Sequence, residues 1–103
     1  MNKKSKALPK TVEQAVDILL SDLSLQEKTA IVNMQKDSLN ALHFSLGRFI
    51  RNKFSLVVDN RELMKSCRLL LGKQDLHPDD ASSVIIESLW ETLQDTHALR
   101  VVE

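Results

Sequence analysis

The run Leu76-His77-Pro78-Asp79-Asp80-Ala81-Ser82 gathers a histidine, two acids and a serine in one short stretch. Such residues can ligate a metal ion or supply a general acid and base. A metal site needs three or four ligands that converge at short range. The other donors, His43, His97 and Cys67, stand at no characteristic spacing from this run. Adjacent Asp79 and Asp80 would point about 100° apart on a helix, so both cannot easily face one ion. No metal, cofactor or catalytic residue is assigned on these grounds. The same stretch also has a local explanation. Pro78 suits the first turn of a helix, Asp79 and Asp80 favour the positive end of its dipole, and Asp80 is the expected cap.

Upstream, Gly47-Arg48-Phe49-Ile50-Arg51-Asn52 offers the opposite charge. A guanidinium fork suits phosphate or carboxylate, so Arg48, Arg51 and Lys53 could form an anion site. Alternatively, Arg51 pairs with Asp79 or Asp80 and ties one helix to another, while Asn52 satisfies backbone groups of the loop that follows. Plain exposure to solvent is the third option. His43 stands beside the apolar stripe as a general base or a half-buried, hydrogen-bonded residue. Mid-helix Gly47 costs roughly 1 kcal/mol relative to alanine, which predicts close approach of another element there. Phe44 lies off that stripe, beside Arg48 and Arg51, and aromatics with arginine are enriched in interface centres. Trp90 is assigned to the core. The binding candidates are thus Phe44, Arg48, Arg51, Asn52, His77, Asp79 and Asp80. There is no P-loop, glycine fingerprint, zinc-protease helix or nucleophile elbow.

These residues need helices to position them, and the helical period recurs along the chain. Thr11 to Gln14 and Ser24 to Glu27 read as capping boxes. They start helices near 12–22 and 25–34, with Ala30, Ile31 and Met34 of the second facing inward. Asp37 or Ser38 is expected to cap a third helix near 38–53, whose core stripe is Leu39, Leu42, Leu46, Phe49 and Ile50 with the stem of Lys53. Residues 54–58 read as a hydrophobic loop that fills part of the core. Asn60 caps a helix near 61–71 carrying Leu63, Met64, Cys67, Leu70 and Leu71, and Gly72 ends it. The last helix, near 78–95, carries Ala81, Ile85, Leu89 and Leu93. The expected fold is all-α: one domain of about five helices with short connections over 9–96, a disordered basic tail at 1–8 and a frayed end at 97–103.

The 103 residues are enough for one core, and 43% hydrophobic with 27% charged residues is an ordinary soluble balance. Absence of Tyr and scarcity of Thr, with the excess of Leu, Lys, Glu, Gln and Ser, argue against a sheet protein. The net charge of zero argues against bulk nucleic-acid binding, but the signs are segregated. Lys3, Lys4, Lys6 and Lys10 open the chain, and Glu13, Asp17, Asp22 and Glu27 follow with no cation between them. The single Cys67 cannot form an internal disulfide and fits a cytosolic setting. No apolar run approaches the roughly 18 residues of a membrane span.

The order Leu46-Gly47-Arg48-Phe49-Ile50-Arg51-Asn52-Lys53-Phe54-Ser55-Leu56, then Asn60 and Leu63, then His77-Pro78-Asp79-Asp80-Ala81-Ser82, then Leu89-Trp90, resembles an uncharacterised bacterial family of small helical proteins, a domain of unknown function. The Ile-Arg-Asn and His-Pro-Asp-Asp blocks carry the resemblance, which spans about residues 9–93. It implies the helical fold and a bracing of the two blocks, and it brings no activity. In the family pattern Gly-Leu-Trp follows the Phe, where this chain has Ser55-Leu56-Val57.

The leading expectation is a non-enzymatic protein-interaction module of the bacterial cytoplasm, with a protein partner or a second copy in a homodimer. The alternatives are phosphate or nucleic-acid binding through Arg48, Arg51 and Lys53, or a small enzyme using His77 and Asp79 or Asp80. The enzyme needs an open polar pocket at that junction.

Overall fold

The computed structural model describes residues 8–58 and 60–102, with side chains described as far as 96. The expected basic tail, apart from Leu8, lies outside the described residues, as do Asp59 and the side chains of the expected frayed end.

Local capping chemistry sets the first elements. The Thr11 hydroxyl accepts the Gln14 amide and starts α1, Val12–Asp22. Ser24 and Glu27 form a reciprocal capping box that starts α2, Leu25–Val32. The next stretch departs from the expected single α-helix over 38–53. It begins earlier, after an uncapped Gln35, as a 3-10 helix over Lys36–Leu42. It widens to a π-helical turn over His43–Gly47 and tightens into α3, Arg48–Lys53. The three segments form one composite rod, 36–53. Neither Asp37 nor Ser38 caps it.

Asn60 accepts the Leu63 amide and starts α4, Arg61–Leu71, which ends on Gly72 in the left-handed region at φ 69°. α5, Pro78–Val102, continues past its expected end near 95. Five α-helices result, all-α, with no strand among the described residues.

α5 is the central element and packs against α1, α2, α3 and α4. Its stripe of Ala81, Ile85, Leu89 and Leu93 is buried, as are Val12, Ala15, Val16 and Leu19 of α1. The loop after α3 contributes Phe54 and Leu56 to this core but leaves Val57 and Val58 exposed. Trp90 is half-buried and donates its indole N–H to the Met34 carbonyl at 2.9 Å, while Gln94 donates to the Val32 carbonyl at 2.8 Å. Two α5 side chains thereby satisfy carbonyls at and just beyond the end of α2, where no intrahelical donor is available.

Some expected core positions are not core. Phe49 is 45% exposed, and Ala30, Leu70 and Leu71 are also exposed. Phe49 sits at the margin of its stripe: at 100° per residue it lies about 80° from Leu39, whereas Leu39 and Ile50 are buried. Leu70 and Leu71 lie on the last turn of α4, where no described residue covers them.

Candidate functional site

The two motif blocks meet where the composite rod crosses the start of α5. Arg51 on α3 projects across Gly47. A methyl group on Gly47 would lie 3.1 Å from the Arg51 guanidinium and 3.5 Å from the Ser82 hydroxyl. Glycine there leaves room for both, which is the close approach its mid-helix position predicts. Arg51 Nε stands 3.3 Å from Asp79 Oδ1, and Nη1 donates to Ser82 Oγ at 3.1 Å. Ser82 in turn donates to the Asp79 carbonyl at 2.8 Å and is fully buried. The Arg51 side chain is 15% exposed and that of Asp79 47%. Of the two acids, Asp79 takes the pairing, and Asp80 points to solvent.

Two histidines flank the same carboxylate. His43 Nε2 lies 4.0 Å and His77 Nδ1 3.8 Å from Asp79 Oδ2. His77 also does what Asp80 was expected to do. Its Nδ1 accepts the Asp79 backbone N–H at 3.1 Å and caps α5 at the residue just before Pro78. A capping Nδ1 needs its lone pair, which puts the ring proton on Nε2. The caps favoured in sequence reading are Ser, Thr, Asp and Asn, so a histidine carried no signal.

The loop is held by a different asparagine from the expected one. Asn52 is exposed, and no hydrogen bond of its side chain is made to a described residue. Asn60 is 93% buried by contrast, at 7% exposure. Its Nδ2 donates to the Phe54 carbonyl at 2.9 Å and to the Pro9 carbonyl at 3.0 Å, while Oδ1 accepts the Leu63 amide. One side chain thus ties the loop, the chain entering α1 and the start of α4.

The remaining candidates separate. Lys53 pairs with Asp22 at 3.1 Å and sits 5.7 Å from the Phe49 ring. With Arg51 and Lys53 both facing carboxylates of the chain itself, Arg48 is the exposed cation left of the three. Phe44 is 83% exposed, with its ring edge-on to His43 at 5.1 Å. No described pocket is lined by Arg51, His77 and Asp79 together. A cleft of about 80 Å³ beside His43 is lined on its other sides by Lys36, Asn40, Ser83 and Glu87. Among the described residues no group of three His, Cys, Asp or Glu could hold a metal ion.

A larger feature lies between α2 and the rod, and site reasoning from the sequence missed it. A groove of about 520 Å³ has an apolar floor of Leu23, Ala30, Ile31, Leu42, Leu46 and Phe49, with Asp22 and Glu27 at its edge. Its signal would have been Phe49 and Ala30, which the constant-pitch stripe and the inward reading of α2 had placed in the core. The groove offers shape and apolar area but no paired nucleophile and base.

Cys67 is fully buried on α4, and its thiol faces the Ala81 carbonyl at 3.7 Å. Burial pushes the thiol up to about 11, so it stands protonated at neutral pH. No helix of the described residues is long and apolar enough to cross a membrane.

A family model described as a domain of unknown function (DUF6794) matches residues 8–93. No curated protein and no solved structure matches the chain.

Proposed function

The chain belongs to the DUF6794 family, a domain of unknown function, and because membership supplies no reaction we propose that the protein is a non-enzymatic protein-interaction module. The observation that carries this reading is the groove between α2 and the composite rod. A concave apolar surface with few convergent polar groups suits the apolar face of a helix, read at i, i+3 or i+4, and i+7. Phe44, exposed beside Arg48, adds a second anchor of the kind found at interface centres. The Arg51–Asp79–Ser82 cluster is the brace that keeps the rod, and hence one wall of the groove, in register with α5. We place the protein in the bacterial cytoplasm. The family resemblance supports the source, and the unpaired Cys67 supports a reducing compartment.

The test is selection of helical peptides from a displayed random library against the folded protein. Recovered binders should lose affinity at least tenfold when Ala30, exposed in the groove, is changed to Arg, with the melting temperature unchanged. Binders indifferent to Ala30→Arg and to loss of the Phe44 ring, or a selection that yields none, would refute the reading.

A further inference from the structure

The chain carries, on another element, a surface complementary to the groove. The stripe of α4 begins in the core with Leu63 and Cys67 and continues, seven and eight residues after Leu63, to Leu70 and Leu71. These are 61% and 47% exposed, and neighbouring Leu69 is 73% exposed. Consecutive leucines at a helix end, uncovered by any described residue, form an exposed apolar ridge. The ridge is set among cations. Lys65, Arg68 and Lys73 surround it, and none of the three forms an ion pair with a described residue. The one acid on α4, Glu62, faces Lys10 at 3.9 Å.

The groove has the opposite character. Its edge acids are Asp22 and Glu27, and Glu13 and Asp17 are exposed farther along α1, with no lysine or arginine in residues 11–27. Lys53 answers Asp22, which leaves Glu27 and the α1 acids without an ion-pair partner among the described residues. An acid-edged apolar groove and a base-edged leucine ridge lie on one chain, and neither is occupied by the other within the monomer.

We infer that the groove of one copy receives the end of α4, Leu69 to Leu71, of a second copy, an inference that rests on reading the groove as a protein-binding surface. Leucine side chains fill the floor between Leu23 and Phe49, and Lys65, Arg68 and Lys73 approach Glu27 and Asp17, which have no ion-pair partner among the described residues. The contact is small and charge-steered, so it is weak and weakens further with salt. Donor and acceptor patches differ, so each copy offers one of each.

Sedimentation equilibrium of the full chain, from about 5 µM to about 1 mM, reads this directly, a range suited to a small interface. The apparent mass should rise above the 11.7 kDa monomer with concentration and fall back as salt is added. Ala30→Arg spoils the groove and Leu70→Glu spoils the ridge. Each alone should be monomeric throughout, with an unchanged melting temperature. An equimolar mixture should associate again, because one variant retains an intact ridge and the other an intact groove. A mixture that stays monomeric while wild type associates would overturn the groove–ridge contact. Wild type that stays monomeric would do the same, and the peptide selection then separates the cases: peptides still bound at the groove leave the interaction reading standing, and none bound removes both.

Discussion

Replacing Arg51 by alanine should cost about 3 kcal/mol of folding stability, and the cost can be assembled from its contacts. The hydrogen bond from Nη1 to Ser82 is charge-assisted and held in a nearly dry crossing, worth roughly 1.5–3 kcal/mol. The pairing with Asp79 is discounted because that carboxylate is 47% exposed, and contributes at most about 1 kcal/mol. Ser82 keeps its own hydrogen bond to the Asp79 carbonyl, so Arg51→Ala leaves no buried hydroxyl without a partner and the loss stays near the sum. Asp79→Ala forfeits the ion pair and a favourable charge at the start of α5, about 1–1.5 kcal/mol together. Asp80→Ala forfeits only the dipole term, about 0.5 kcal/mol. The double mutant Arg51→Ala/Asp79→Ala should show a coupling of about 1 kcal/mol or less, since most of the arginine's contribution goes through Ser82. Urea unfolding of the five proteins, fitted with a common m-value, measures all of this. Arg51→Ala within about 0.5 kcal/mol of wild type, or Asp80→Ala as costly as Asp79→Ala, would refute the brace.

Asn60→Ala should be among the most destabilising single changes, about 3 kcal/mol by urea unfolding, because it orphans the Phe54 and Pro9 carbonyls and the Leu63 amide together. Ser55 sits at φ 54°, a left-handed conformation that costs a residue with a side chain roughly 1–2 kcal/mol, so Ser55→Gly should raise the melting temperature by a few degrees. The Cys67 thiol, raised by burial from 9.0 to about 11, ionises more readily in the unfolded chain. Stability should therefore be intact below pH 9 and fall as pH rises towards 11, by about 3 kcal/mol at roughly 1.4 kcal/mol per pH unit, and Cys67→Ala should flatten that part of the profile. The same thiol should react with an aromatic disulfide reagent only as fast as the protein opens.

What the sequence made legible is what short-range chemistry decides. Thr11, Asn60 and Gly72 mark the ends of α1 and α4 because caps act within four residues of themselves. The α5 stripe was readable because one regular helix keeps its period from Ala81 to Leu93. The composite rod was not, since nothing in Lys36 to Gly47 announces a change from 3-10 to π winding, and each change rotates every later residue. The meeting of Arg51 with the start of α5 followed from charge, whereas the choice of Asp79 over Asp80 depended on which acid the crossing angle turned inward. Asn60 was recognised as a cap, but its amide's grip on Pro9 is a contact across 51 residues and leaves no local trace.

The central position of α5 bears on how the protein is made. Chains emerge from the ribosome N-terminus first, at roughly 5–20 residues per second. α1 to α4 all precede α5 and all bury their apolar faces against it. For several seconds of synthesis Val16, Leu19, Ile50 and Leu63 therefore have no surface on which to settle. Folding must wait until Ala81 to Leu93 has cleared the exit tunnel, and a chain stopped before Pro78 would lack the surface on which α1 to α4 pack.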